Sequence, residues 1–223
     1  MRHDWQPLAL TFELASVTAI ILLIIGVPLA YWLAYSRFRF KPVVETLVSM
    51  PLVLPPSVLG FYLLVAFSPE HLLGKTLLDS FNLRLAFSFN GLVLGSVIYS
   101  LPFMVQPLQS GFQSLPLSLK EAAYTLGKSR LATARRVLLP NIRPALLTGL
   151  VLSFAHTVGE FGVVLMIGGN IPGQTRLASL AIYDEVEGLN YAAANFYALI
   201  LFAVSFIILL TVYVANKRLL KPV

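Results

Sequence analysis

The sequence predicts an all-α integral membrane protein: a bundle of five transmembrane helices, or six on an alternative count, with the N-terminus outside and the C-terminus cytoplasmic. Three observations predict it. The chain is too apolar for a soluble domain, its apolar residues fall into five long runs, and its basic residues collect on one side of those runs. Of 223 residues, 57% are hydrophobic and 12% charged, whereas a soluble domain carries about 25% charged residues. No water-soluble fold of this size hides so much apolar surface, so lipid must solvate much of it. The chain is read as a single domain, 1–223.

Spanning a hydrocarbon core takes roughly 20 helical residues. Five stretches meet this, at about 11–34, 44–67, 90–112, 145–168 and 193–216. The first is too long for a signal-peptide apolar region and lacks a small-residue cleavage site, so it is kept as a span. Arg37, Arg39 and Lys41 follow span one. Lys120, Lys128, Arg130, Arg135, Arg136 and Arg143 follow span three, and Lys217, Arg218 and Lys221 follow span five. Twelve of the sixteen basic residues therefore share one side, which the positive-inside rule makes the cytoplasm. Arg2, Lys75, Arg84 and Arg176 lie on the other side, among the acids Asp4, Glu70, Asp79, Asp184, Glu185 and Glu187. The formal charge of +6 is then a topology signal and not a nucleic-acid footprint. With no cysteine, disulfides, thiolate metal sites and a cysteine nucleophile are excluded. His3, His71 and His156 make no metal-ligand spacing.

Two external segments are more than loops. Residues 69–88 are amphipathic and suited to lie along the membrane surface. Leu177 to Tyr183 is apolar but short, which suits a surface or re-entrant helix; a hidden sixth span is the alternative. Gly74-Lys75-Thr76 imitates the end of a phosphate-binding loop, but Pro69 stands where the first glycine is required, and no strand precedes it. There is no internal repeat, so a two-fold symmetric pore needs a second copy of the chain.

Span two carries Pro51, Pro55, Pro56, Ser57 and Gly60. Each interior proline removes a backbone hydrogen bond, at about 3 kcal/mol in an ordinary helix. Freed carbonyls in lipid must face protein or a wet cavity. The segment reads as a broken helix lining a path, with a kinked packing helix as the alternative. Pro102 and Pro107 suggest that span three bends too, and Gly91 and Gly95 suggest close helix packing. In span four, His156 and Glu160 are four apart and are expected on one helix face, with Ser153 and Thr157 nearby. An intramembrane carboxylate is unfavourable by about 2.5 kcal/mol or more and tends to face a cavity or a partner. Gly159 and Gly162 flank Glu160 and permit close backbone approach. A pathway or gate role is read for Glu160; a hydrogen-bonded helix contact and a proton relay with His156 are the alternatives.

The cytoplasmic loop 113–143 is built like a docking element. Ser118-Leu119-Lys120-Glu121 reads as a capping box opening a short helix, and Gly127 suits the left-handed residue past its end. A second helix, about 129–139, is expected to stop at Pro140. Glu121-Ala122-Ala123, three residues, Gly127, nine residues, then Val137-Leu138-Leu139-Pro140 resembles the EAA motif of ABC importer permeases. Valine at 137 for isoleucine is the sole departure from that pattern. MPLVLPPSVLGFYLL in span two, with GEFG at 159–162 and NIPGQTR at 170–176, is similar to the molybdate/tungstate permeases. Sulfate permeases share the GEFG and NIP elements.

The resemblance implies a multi-pass inner-membrane permease, not itself an enzyme, that binds no cofactor; ATP is held on a separate partner subunit. The loop around Glu121, Ala122, Ala123, Gly127, Leu139 and Pro140 would dock on a cytoplasmic ATPase. The implied partners are a second copy, that ATPase, an external oxyanion-binding protein and lipid, with no nucleic acid. Sulfate import, proton-coupled secondary transport through His156 and Glu160, and a purely structural membrane protein are the competing readings.

Overall fold

The computed structural model describes residues 4–219, with side chains through Val214. Arg2, His3 and Lys221, and the side chains of Lys217 and Arg218, lie outside this set. All regular structure among the described residues is helical. Three helices are long and apolar enough to cross a membrane, and up to five spans result if two bent pairs, Lys41–Leu52 with Pro56–Phe67 (110°) and Arg130–Asn141 with Arg143–Val158 (79°), each count as one.

α1 (Gln6–Tyr35), α5 (Phe89–Ser114) and α9 (Arg143–Val158) pack against one another as the centre of the bundle. Leu22, Leu33, Met104, Leu108, Phe112 and Leu138 form its largest buried cluster. Prolines do not break α1 or α5: Pro28, Pro102 and Pro107 lie inside continuous helices. Span three is thus one uninterrupted helix.

Span two behaves differently. α2 (Lys41–Ser49) continues into a 3₁₀ turn (Met50–Leu52), and α3 (Pro56–Phe67) departs at 110°. A residue before proline is disfavoured in the α region, and Pro55-Pro56 places two such residues in succession. Pro55 adopts φ −54°, ψ 134°, and Pro56 opens the next helix, where its missing N–H is harmless. α3 packs on α10 (Gly162–Gly168) and on α4 (Leu72–Phe81). The Gly74-Lys75-Thr76 segment lies inside α4, with Thr76 Oγ1 donating to the Leu72 carbonyl at 2.7 Å, so it forms no phosphate loop.

Span four is also interrupted. α9 stops at Val158, residues 159–161 are non-helical, and α10 begins at Gly162. The expectation that His156 and Glu160 share one helix face is therefore corrected: Glu160 stands in the break. Leu177 to Tyr183 falls at the start of α11 (Ala178–Glu187), which packs against α12 (Tyr191–Leu219) and α1. The ten residues of α11 are fewer than the roughly 20 that a span takes. The Ala178 N–H donates to Thr11 Oγ1 at 2.9 Å, fixing α11 on α1.

The 113–143 loop folds into two short helical pieces at a glycine corner. α6 (Leu117–Thr125) has Pro116 as its N-cap, with no side-chain capping bond, so the expected Ser118 box does not form. Ser118 lies inside the first turn because the helix starts from Pro116, two residues earlier. Gly127 takes φ +73°, as expected, while the Lys128 N–H bonds the Ala123 carbonyl at 3.0 Å. Ser129 caps α7 (Arg130–Thr133), accepting from the Ala132 N–H at 3.2 Å. Pro140 does not stop the second piece. A π turn (Ala134–Leu138) precedes it and α8 (Leu139–Asn141) contains it. The wider turn accommodates the N–H that proline lacks.

Candidate functional site

The two broken spans meet. Pro56 and Ser57 of α3, Tyr99 of α5, and His156, Gly159, Glu160 and Gly162 of the α9–α10 break line an open cleft of about 610 Å³. The closeness depends on glycine. A methyl group on Gly162 would stand 2.6 Å from Pro56 Cβ, and one on Gly60 would stand 2.8 Å from Met166 Cβ.

Glu160 is 3% exposed. Its Oε2 accepts from Ser96 Oγ at 2.7 Å, and its backbone carbonyl accepts from Ser179 Oγ at 2.6 Å. Oε1 is buried without a hydrogen-bond partner among the described residues. His156 lies flat against Phe103, ring centroids 4.0 Å apart, with Tyr99 at 4.7 Å. Its Nδ1 is 2.9 Å from Ser100 Oγ, which is 3.0 Å from Thr157 Oγ1. Thr157 donates in turn to the Ser153 carbonyl at 2.9 Å. The carboxylate and the imidazole thus bond separate serines of α5, and no direct bond joins them.

The structure gathers Pro56, Ser57, His156, Gly159, Glu160 and Gly162 at the cleft. Pro51 is buried in the 3₁₀ turn against α5, and Pro55 is exposed at the corner. Gly60 lies beneath Met166 and Val163, while Ser153 and Thr157 are sealed in the α5–α9 contact. The sequence reading missed Ser96, Tyr99, Ser100 and Phe103. A signal existed: two serines four apart inside an apolar span share a helix face. It also missed a polar cluster in which Asn170 Nδ2 donates to both oxygens of Asp184, at 3.0 and 2.9 Å, and Arg176 pairs with the same carboxylate at 2.5 Å.

The docking loop separates into two faces. Ala123 is buried and Leu119 packs on the central cluster. Glu121, Ala122 and Gly127 point outward, beside Leu117, Leu126 and Leu131, which are 67–78% exposed. Leu139 and Pro140 are half-buried at its base.

Comparison with known proteins decides the family. The family model described as the inner membrane component of binding-protein-dependent transport systems matches residues 26–221. The chain belongs to that family. This permease is 47% identical to the molybdenum transport system permease protein ModB of Azotobacter vinelandii, over 96% of this chain and 95% of the relative. It is 33% identical to the sulfate transport system permease protein CysT of Salmonella typhimurium, over 93% of this chain and 75% of the relative. In fold it matches the inward-facing MetNI methionine ABC transporter with a TM-score of 0.74 at 16% identity, covering 96% and 95% of the two chains. The permease is thus a multi-pass protein of the inner membrane and a transport component of the ABC type.

Proposed function

We propose that this chain is the membrane-spanning permease of an ATP-driven importer for molybdate or its congener tungstate. Two copies pair with two cytoplasmic ATPase subunits and receive the oxyanion from an external binding protein. The observation that carries the coupling role is the loop around Glu121. It is a compact knob fixed to the core through Ala123 and Leu119, with Leu117, Leu126 and Leu131 exposed around the carboxylate. An exposed apolar patch rimmed by charge marks an interaction surface. The 47% identity to a molybdenum permease along nearly the whole chain supports the substrate.

In this reading five spans cross the membrane, with the N-terminus outside and the C-terminus inside. The cleft at Glu160 lies along the path, with Pro51, Pro55, Pro56, Ser57, Gly60, Ser153, His156, Thr157, Gly159 and Gly162 in or behind its walls. No lysine or arginine lines the cleft among the described residues, which suits weak, transient passage of an anion, with capture left to the binding protein. ATP binding drives transport by favouring one of two states that the docking knobs report to the spans. This chain holds no cofactor, and hydrolysis belongs to the partner.

Labelled molybdate uptake tests the proposal in cells carrying the chain with its ATPase and binding protein. Uptake should be blocked by tungstate, unaffected by excess sulfate, and lost in Glu121→Lys. A sulfate permease is the second reading, favoured by the 33% identity to CysT, and sulfate competition would establish it. Uptake without the ATPase would overturn the coupling mechanism.

A further inference from the structure

A second cavity, of about 770 Å³, lies between α1 and the docking loop, with Leu131 and Leu139 of that loop at its edge. One wall is the last two turns of α1, with Val27, Pro28, Tyr31 and Trp32. The other is the basic loop, which contributes Lys120 from α6, Arg130 from α7 and Arg135 from the π turn. None of these three cations makes an ion pair among the described residues. Lys120 Nζ lies 4.2 Å from the centroid of the Tyr35 ring, a contact that orients the charge without neutralising it. The cavity is therefore apolar and aromatic along the membrane helix and cationic along the loop.

We propose that this cavity binds an anionic phospholipid of the cytoplasmic leaflet. The phosphate would sit among Lys120, Arg130 and Arg135, and the acyl chains would descend along Val27 and Trp32. Charge complementarity names the occupant, since an apolar slot ending in unpaired cations fits an amphiphilic anion. Trp32 is 38% exposed, as an aromatic residue at the lipid headgroup level is. The ATPase is the less suitable occupant, because Leu117, Glu121 and Leu126 of the docking face do not line the cavity and Leu131 alone of its exposed leucines does. A lipid here bridges α1 to the element that receives the ATPase stroke, so lipid composition would tune coupling. The inference rests on the orientation proposed above. Lipid binding is read separately from uptake, so either can fail without the other.

The test is native mass spectrometry of the complete complex with its ATPase, stripped of lipid in detergent and titrated with phosphatidylglycerol. Phosphatidylcholine and inorganic phosphate serve as comparators. Phosphatidylglycerol should bind selectively. Arg130→Gln with Arg135→Gln should weaken it roughly 30-fold, taking about 1 kcal/mol for each cation near a charged surface. Arg136→Gln removes one charge from the same turn but does not line the cavity, so it should leave phosphatidylglycerol binding unchanged. Lys120→Gln provides an independent variant if the paired change lowers the melting temperature. Equal binding of phosphatidylcholine, displacement by inorganic phosphate, or equal weakening by Arg136→Gln would overturn the proposal. Absence of any phosphatidylglycerol adduct on the ATPase-bound complex would also overturn it.

Discussion

Glu160 is flanked by two glycines that look alike in sequence, and the structure predicts opposite responses to the same methyl group. A Cβ on Gly162 would lie 2.6 Å from Pro56 Cβ and 3.2 Å from the Ser57 nitrogen. Both obstacles belong to the rigid start of α3, so no flexible side chain can turn aside. Ordinary contact begins near 3.4 Å, so α3 and α10 must separate by about 1 Å. Overpacking of this kind destabilises by about 1–3 kcal/mol. A Cβ on Gly159 meets nothing closer than the Ala155 and His156 carbonyl oxygens, both at 3.8 Å, and the backbone there, at φ −88°, suits any residue.

The assay is thermal unfolding of the purified permease complex, with uptake measured in parallel. Gly162→Ala should lower the melting temperature by roughly 2–12 °C, taking 2–4 °C per kcal/mol for a chain of this size. It should also slow uptake, because the cleft wall moves. Gly159→Ala should stay within about 2 °C of the unmodified protein. Equal melting temperatures for the two variants, or a larger drop for Gly159→Ala, would refute the close approach of α3 and α10 and with it the cleft as drawn.

Two further outcomes follow from neighbouring contacts. Ser96→Ala removes the hydrogen bond to Glu160 and leaves both carboxylate oxygens without partners. A destabilisation of about 1–3 kcal/mol is expected, read as a lower melting temperature that Ser96→Thr largely restores. Gly127→Ala meets no steric obstacle, because nothing lies within 4 Å of its added carbon, but it places a side chain at φ +73°. That conformation disfavours it by about 1–2 kcal/mol. Gly127→Asn should retain more ATP-coupled uptake than Gly127→Ala, and the reverse order would contradict the left-handed corner.

The legible part of this fold was the part dictated by solvent and by the covalent backbone. Lipid requires long apolar helices, so the long apolar runs read as spans one, three and five already pointed to helices, and α1, α5 and α12 cover them. Pro55-Pro56 encodes its corner directly, as Gly127 does. Legibility failed where tertiary partners compete with local preference. Gly159-Glu160-Phe161 contains no proline, and its apolar flanks read as one continuous span. It breaks where Ser96 on another helix accommodates the carboxylate and Ser179 bonds the freed carbonyl. Ser118 has the spacing of a capping box, but Pro116 starts the helix first. Pro140 looks like a stop until the π turn absorbs the missing N–H.

The same competition explains why two broken spans sit beside one helix that stays whole. A break inside a membrane leaves polar groups that neither lipid nor the broken helix can satisfy. Ser179 of α11 meets the Glu160 carbonyl, and side chains of α5 bond side chains on both broken spans. Ser96 bonds Glu160 and Ser100 bonds His156, while Gln106 and Gln109 donate to Ser49 at 3.1 Å and Glu45 at 2.7 Å on α2. Movement of either broken span must exchange hydrogen bonds with this one helix, so the two breaks are mechanically linked through α5 even though Glu160 and His156 do not touch.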